Sequence, residues 1–126
     1  MKFRHQPDLA KLILRVGVAG MMLYGHGWPK LKKIIAADFT FPDPIGIGQM
    51  PSLLLAAFAE VLCSVALILG FRTRLAAIPL LVTMVVAGLI QHGGDPWRDK
   101  EPALVFGVVF LVIALLGPGR FSIDKS

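Results

Sequence analysis

One cysteine, one tyrosine and three histidines are present in the 126 residues of this chain. A lone Cys63 excludes an intramolecular disulfide and the Cys-x-x-Cys pair on which dithiol redox chemistry depends. Its apolar neighbours make it a packing residue. Charge is also scarce, at 17% of residues, where a soluble domain carries roughly 25%. No glycine-rich dinucleotide fingerprint, Walker loop or Ser-His-Asp set can be assembled. The chain is therefore not expected to run a redox cycle alone; electron transfer would need a partner that carries the cofactor, and none is expected to be bound covalently. The net charge of +5 does not indicate nucleic acid, because the basic residues flank long apolar runs, as they do beside a bilayer.

Apolar residues dominate, at 56%, with a mean hydropathy of +0.72. A helix crossing a hydrocarbon core about 30 Å thick needs roughly 20 residues. Four runs approach that length: 9–28, 51–70, 74–92 and 102–117. They are continuous rather than alternating, which argues against a β-barrel. The expected fold is all-α, an integral membrane four-helix bundle. The first run carries Lys11 and Arg15 and has no A-x-A-like site, so it reads as a span rather than a cleaved signal.

Helix punctuation agrees with these bounds. Pro51 and Pro102 suit a first helical turn, Gly70 and Gly117-Pro118-Gly119 suit ends, and Pro79 predicts a kink. Residues 39–51 hold two prolines and two glycines before Pro51 and read as a loop. Leu31, Ile34, Ile35 and Phe39 alternate with lysines, which fits either a short interfacial helix over 30–39 or a continuation of the first helix past Pro29.

Four spans place both termini on one side. That side collects Lys2, Arg4, Lys11, Arg15, Arg72, Arg74, Arg120 and Lys125, against Lys30, Lys32, Lys33, Arg98 and Lys100, so the termini are expected in the cytoplasm. Trp28 and Trp97 on the other side suit an aromatic belt.

Ionisable groups within spans are costly and need a reason. Glu60 falls near the middle of the second run. Arg15, six residues into the first, lies roughly 5–6 Å from it along the bilayer normal at 1.5 Å per residue, so a buried Arg15–Glu60 pair is expected. It either fixes helix register or has a proton or quinone role. Arg15 and His26, eleven residues apart, share a helix face that should turn inward. Tyr24 falls off that stripe and suits the interface; His5 belongs to a solvated arm. The small residues Gly17, Ala19 and Gly20 on the first helix, with Ala56, Ala57 and Ala59 on the second, permit close helix contact. The tail is short and polar, and Arg120 and Asp124 pair only if it is helical.

Three segments resemble the DoxX family of small bacterial four-helix membrane proteins. They are His26-Gly27-Trp28-Pro29-Lys30-Leu31, Glu60 followed by Gly70-Phe71-Arg72, and the terminal Gly117-Pro118-Gly119-Arg120-Phe121-Ser122-Ile123-Asp124. The resemblance implies a multi-pass protein of the bacterial inner membrane, linked to quinone-connected redox or oxidative-stress chemistry and to a protein partner in a membrane complex.

His26, Lys30, His92 and Glu101 fall at one membrane face, where Gly88 leaves room, and are the candidate lining of a polar cavity. Three chemistries suit such a cavity: hydrogen bonding of a quinone, ligation of a haem, or a metal. Helix-end histidines suit a buried macrocycle poorly, and two histidines are too few for a metal site, so none is assigned. The leading expectation is an accessory subunit whose cavity takes a quinone-like ligand or supports a redox partner. A purely structural or assembly subunit is the alternative. A small transporter or channel is weaker, as no inverted repeat or broken helix pair is seen.

Overall fold

The structure is a computed structural model that describes residues 6–125; Lys2, Arg4 and His5 lie outside the described residues. Four helices follow one another: α1 over 7–35, α2 over Gln49–Leu69, α3 over Thr73–Gln91 and α4 over Trp97–Leu116. Among the described residues there is no strand. Each helix packs on its neighbours in the chain, α3 and α4 most extensively, and α4 closes the ring on α1. The core is built from Ala19, Met22, Leu67, Leu80, Phe110 and Ile113. Large apolar side chains also cover the outside, among them Ile13, Leu62, Ile78, Val82, Val108 and Leu115. A water-soluble bundle would present polar residues there. α2 and α3 are each long and apolar enough to cross a membrane.

The end of the bundle where the termini meet is tied shut by the tail. α2 stops at Gly70, whose φ of +70° is left-handed. The Gly70 N–H donates to Leu67 O, and the Phe71 N–H donates to Ala66 O, the paired bonds of a Schellman ending. Residues 117–125 then cross this turn. The Ile123 N–H donates to Leu69 O and the Asp124 N–H to Gly70 O. The Asp124 carboxylate accepts from the Arg72 and Thr73 N–H groups, both at 2.9 Å, and so caps the start of α3. Ser122 lies where a Gly70 side chain would be. The Arg120 N–H donates to Asp8 Oδ1 at 3.2 Å, drawing in α1. The tail is not helical, so Arg120 and Asp124 serve separate elements.

Several expected boundaries are corrected. α1 runs on without a break through Trp28-Pro29 to Ile35, so the segment after Pro29 is the end of α1 and not a separate interfacial helix. The turn before Pro29 is π-helical, Leu23–Gly27, with the Trp28 N–H donating to Leu23 O. Widening the helix there accommodates a ring that has no N–H and would crowd an α-helical carbonyl. α4 starts at Trp97, after an extended Pro96. Pro102 is therefore its sixth residue and not in its first turn. Pro79 sits inside α3, and Thr83 Oγ1 donates to Pro79 O at 2.7 Å. Gly88 does not open space: a side chain there would meet Leu104 at 2.8 Å, so it lets α3 and α4 close up.

Candidate functional site

Away from the tail, three of the four helices pass through a π-helical segment: Leu23–Gly27 in α1, Phe58–Cys63 in α2 and Val86–Gln91 in α3. Such segments misalign backbone bonds and are frequent where side chains must be aimed at a ligand. Here each contributes to the wall of one cavity of about 430 Å³, through His26, Glu60 and Ala87 with Gln91. α1 and α2 come together at their π segments. A side chain on Gly27 would meet Glu60 O at 2.6 Å, so the approach requires glycine.

Glu60 is 2% exposed, and Arg15 is 1% exposed, yet they are not partners. Glu60 Oε2 lies 2.8 Å from Lys30 Nζ, an ion-pair contact off the hydrogen-bond direction. Arg15 turns the other way: its Nε donates to Leu67 O at 2.9 Å, and its Nη2 donates to Phe121 O at 2.7 Å. The cause is the lean of helical side chains toward the N-terminus of their helix. Arg15 leans away from Glu60 and into the tail-bound end. Lys30, higher on the same continuous helix, leans down onto Glu60. An expectation based on Cα height alone misses that direction.

Of the four residues expected at the cavity, three line it: His26, Lys30 and His92. The His26 ring meets Phe106 of α4 edge-on, with centroids 5.5 Å apart. Lys30 Nζ also donates weakly to His26 O at 3.4 Å and sits over the Phe41 ring. His92 Nδ1 lies 2.8 Å from Asp95 Oδ2, which orients the imidazole. Glu101 is exposed and does not line the cavity; Asp99 does. Since α4 begins at Trp97, positions 99 and 101 are about 200° apart around it. Among the described residues no three of the His, Cys, Asp and Glu side chains converge as metal ligands. Cys63 is buried in the π segment of α2.

The loop over 36–48 roofs the cavity with Phe41, Pro44, Ile45 and Ile47. Asp43 holds it in shape, its carboxylate accepting from the Ile47 and Gly48 N–H groups and from Ser52 Oγ on α2. The Gly48 N–H, with these other donors, holds the Asp43 carboxyl below the usual carboxylate range. At the foot of the loop Asp38 is pushed down to about 2 by the Thr40 hydroxyl and the Lys33 ammonium. The sequence reading missed this roof. An aspartate ahead of Gly46-x-Gly48 and Ser52 is the signal that could have found it, as an Asx-type turn leading into a helix.

A sequence model of the DoxX family matches residues 10–93. An uncharacterised membrane protein of Mycobacterium tuberculosis is 32% identical over 112 residues, covering 69% of this chain and 68% of its own length. An uncharacterised protein of Haemophilus influenzae is 31% identical over 122 residues, covering 90% of this chain and 87% of its own. No solved structure matches.

Proposed function

The chain belongs to the DoxX family of membrane proteins, and from that premise we propose that it crosses the bacterial inner membrane four times and holds a small amphipathic ligand between its helices. α4 has 20 residues, about 30 Å of helix. α1 is longer, its outward side chains Ile13 and Met21 are apolar, and its Arg15 is buried. These features support spans for α1 and α4 beside α2 and α3. Lys11, Arg72, Arg74, Arg120 and Lys125 gather at the tail-bound end, with Lys2 and Arg4 adding to it in sequence, which supports cytoplasmic termini by the positive-inside rule.

The function we favour is that of an accessory subunit in quinone-linked redox or oxidative-stress chemistry. The observation that carries it is the Lys30–Glu60 pair, its carboxylate buried, beside His26 on the wall of a largely apolar cavity. A quinone ring presents two carbonyl acceptors on an apolar body. Lys30 and His26 supply donors of the kind that fix such a ring, and pockets between bundle helices are usual places for it. Electrons would enter and leave through a protein partner, because the sequence offers neither a Cys-x-x-Cys pair nor a dinucleotide fingerprint. Gentle purification from native membranes, with mass spectrometry of the bound proteins and extracted quinones, tests this. Enriched quinone or a stoichiometric redox enzyme is expected, and Lys30→Met with His26→Ala should remove the quinone while the protein stays folded. A chain recovered without either, or equal quinone in the variant, overturns it.

One observation favours the assembly reading instead. Gly17, Gly20 and Gly25 on α1 have nothing packed above them within 4 Å, which leaves a shallow strip against which another helix fits closely. A partner protein recovered without quinone, and lost with Gly20→Leu, would select it.

A further inference from the structure

The sides of the cavity differ. On its inner wall the charged and hydrogen-bonding groups Lys30, Glu60 and His26 are buried or half-buried, while Gln91 and Asp99 are exposed at its roofed end. Between α2 and α3 the lining open to the outside is apolar, Leu55 and Val82 being 57% and 54% exposed. These two helices pack closely from Phe58 to Leu69 of α2, whereas the Gln49–Ala57 half of α2 has little contact with α3. The helices thus part toward the roofed end, and the gap has apolar lips. On the α1–α4 side the ring contact between His26 and Phe106 bridges the wall. Above, the loop covers the cavity with Phe41 and Ile47, held by Asp43.

Resting on the reading of the cavity as a ligand site, we propose that it is loaded from within the bilayer, through the cleft between α2 and α3, by an uncharged ring-headed lipid whose tail remains between Leu55 and Val82. The charge of the lining selects the head. Lys30 is neutralised by Glu60, and Asp99 adds a carboxylate, so a phosphate head would bring a second anion among unpaired negative charge. An uncharged head with acceptor atoms takes up the Lys30 and His26 donors without that cost. The tail never leaves an apolar environment, so the hydrophobic cost of moving it through water does not arise.

The test uses the full chain in phosphatidylcholine nanodiscs with two probes: decylubiquinone, which partitions into the bilayer, and its tailless benzoquinone analogue, supplied from buffer. Leu55→Trp with Val82→Trp fills the cleft, and Val108→Trp on the outside of α4 serves as the control for adding indole to the outer surface. The double variant is expected to weaken decylubiquinone binding at least about tenfold, or ~1.4 kcal/mol, and to leave the tailless analogue and the melting temperature near those of the control. Equal loss of both probes, or no loss of either, overturns entry through the cleft while leaving the ligand site in place. Competition by phosphatidylglycerol at the same site overturns the uncharged head. Binding of neither probe to the unmodified chain, or binding unaffected by Lys30→Met, overturns the ligand site itself.

Discussion

The two ends of the bundle treat buried charge in different ways. At the tail-bound end Arg15 is sealed among backbone carbonyls, Leu67 O at the end of α2, which also accepts from the Gly70 N–H, and Phe121 O in the tail. At the roofed end Lys30 and Glu60 pair beside open volume, with histidine and apolar walls around them. A guanidinium fits the first setting because its fixed fork of donors can serve carbonyls that diverge. A lysine fits the second because a flexible ammonium can leave its partner for a ligand. In a membrane, where stray charge is costly, the first arrangement holds helices together and the second keeps a polar group available.

That contrast breaks most sharply at Arg15. Arg15→Met removes two charged-donor hydrogen bonds from the junction of α1, α2 and the tail, and should cost about 3–5 kcal/mol. In detergent the melting temperature should fall further than for any cavity substitution, with ligand affinity of the folded fraction unchanged. The same measurement separates the two possible partners of Glu60. A double-mutant cycle on Lys30→Met and Glu60→Gln should show coupling on the order of 1–2 kcal/mol, whereas Arg15→Met and Glu60→Gln should add within ~0.5 kcal/mol. Strong coupling between Arg15 and Glu60 would return them to contact.

The glutamate and the arginine were legible as buried groups that needed partners; which partner each finds was not. Residue spacing gives height along a helix, but the lean of the side chain decides whether it reaches up or down, and Lys30 came within range of Glu60 only because α1 continues through Pro29. The four helices were legible from their apolar length. The tail was recognisable as a motif, and its purpose was not. Its hydrogen bonds to residues 69–73, two from backbone N–H groups and two to the Asp124 carboxylate, join positions some fifty apart, and no local pattern announces such a pairing. The roof loop was hidden for a related reason, because its apolar residues look like loop residues until α2 and α3 part beneath them.

A smaller effect sharpens the view of the tail as a fastening. Partial burial acts to raise the Asp124 carboxyl, but the Thr73 and Arg72 N–H groups outweigh it and leave the group below the usual carboxylate range. A carboxyl depressed by folding lends its stability in full above its unfolded value near ~3.9. That stability is lost as pH falls through the lower folded value. Asp124→Ala should cost about 1 kcal/mol at neutral pH, the usual worth of a helix cap, and should reduce the loss of stability seen on acidification below pH ~4. An unchanged acid profile would mean that the cap contributes nothing in solution.

The least expected effect falls at Glu101, and it tests the geometry of the roofed end. On spacing alone Glu101 belongs with His26, Lys30 and His92, since all fall at one end of the four helices. The start of α4 at Trp97 turns Asp99 toward the cavity and leaves Glu101 exposed on another side. Glu101→Gln should then change stability by less than ~0.5 kcal/mol, as exposed substitutions do, and leave decylubiquinone binding as it is. Asp99→Asn, two residues away, removes a charge from the cavity wall and should shift that binding. If Glu101→Gln weakened the ligand and Asp99→Asn did not, α4 would have to be rotated from its present position. The edge contact of Phe106 with His26, which depends on the same face of the same helix, would then be lost as well.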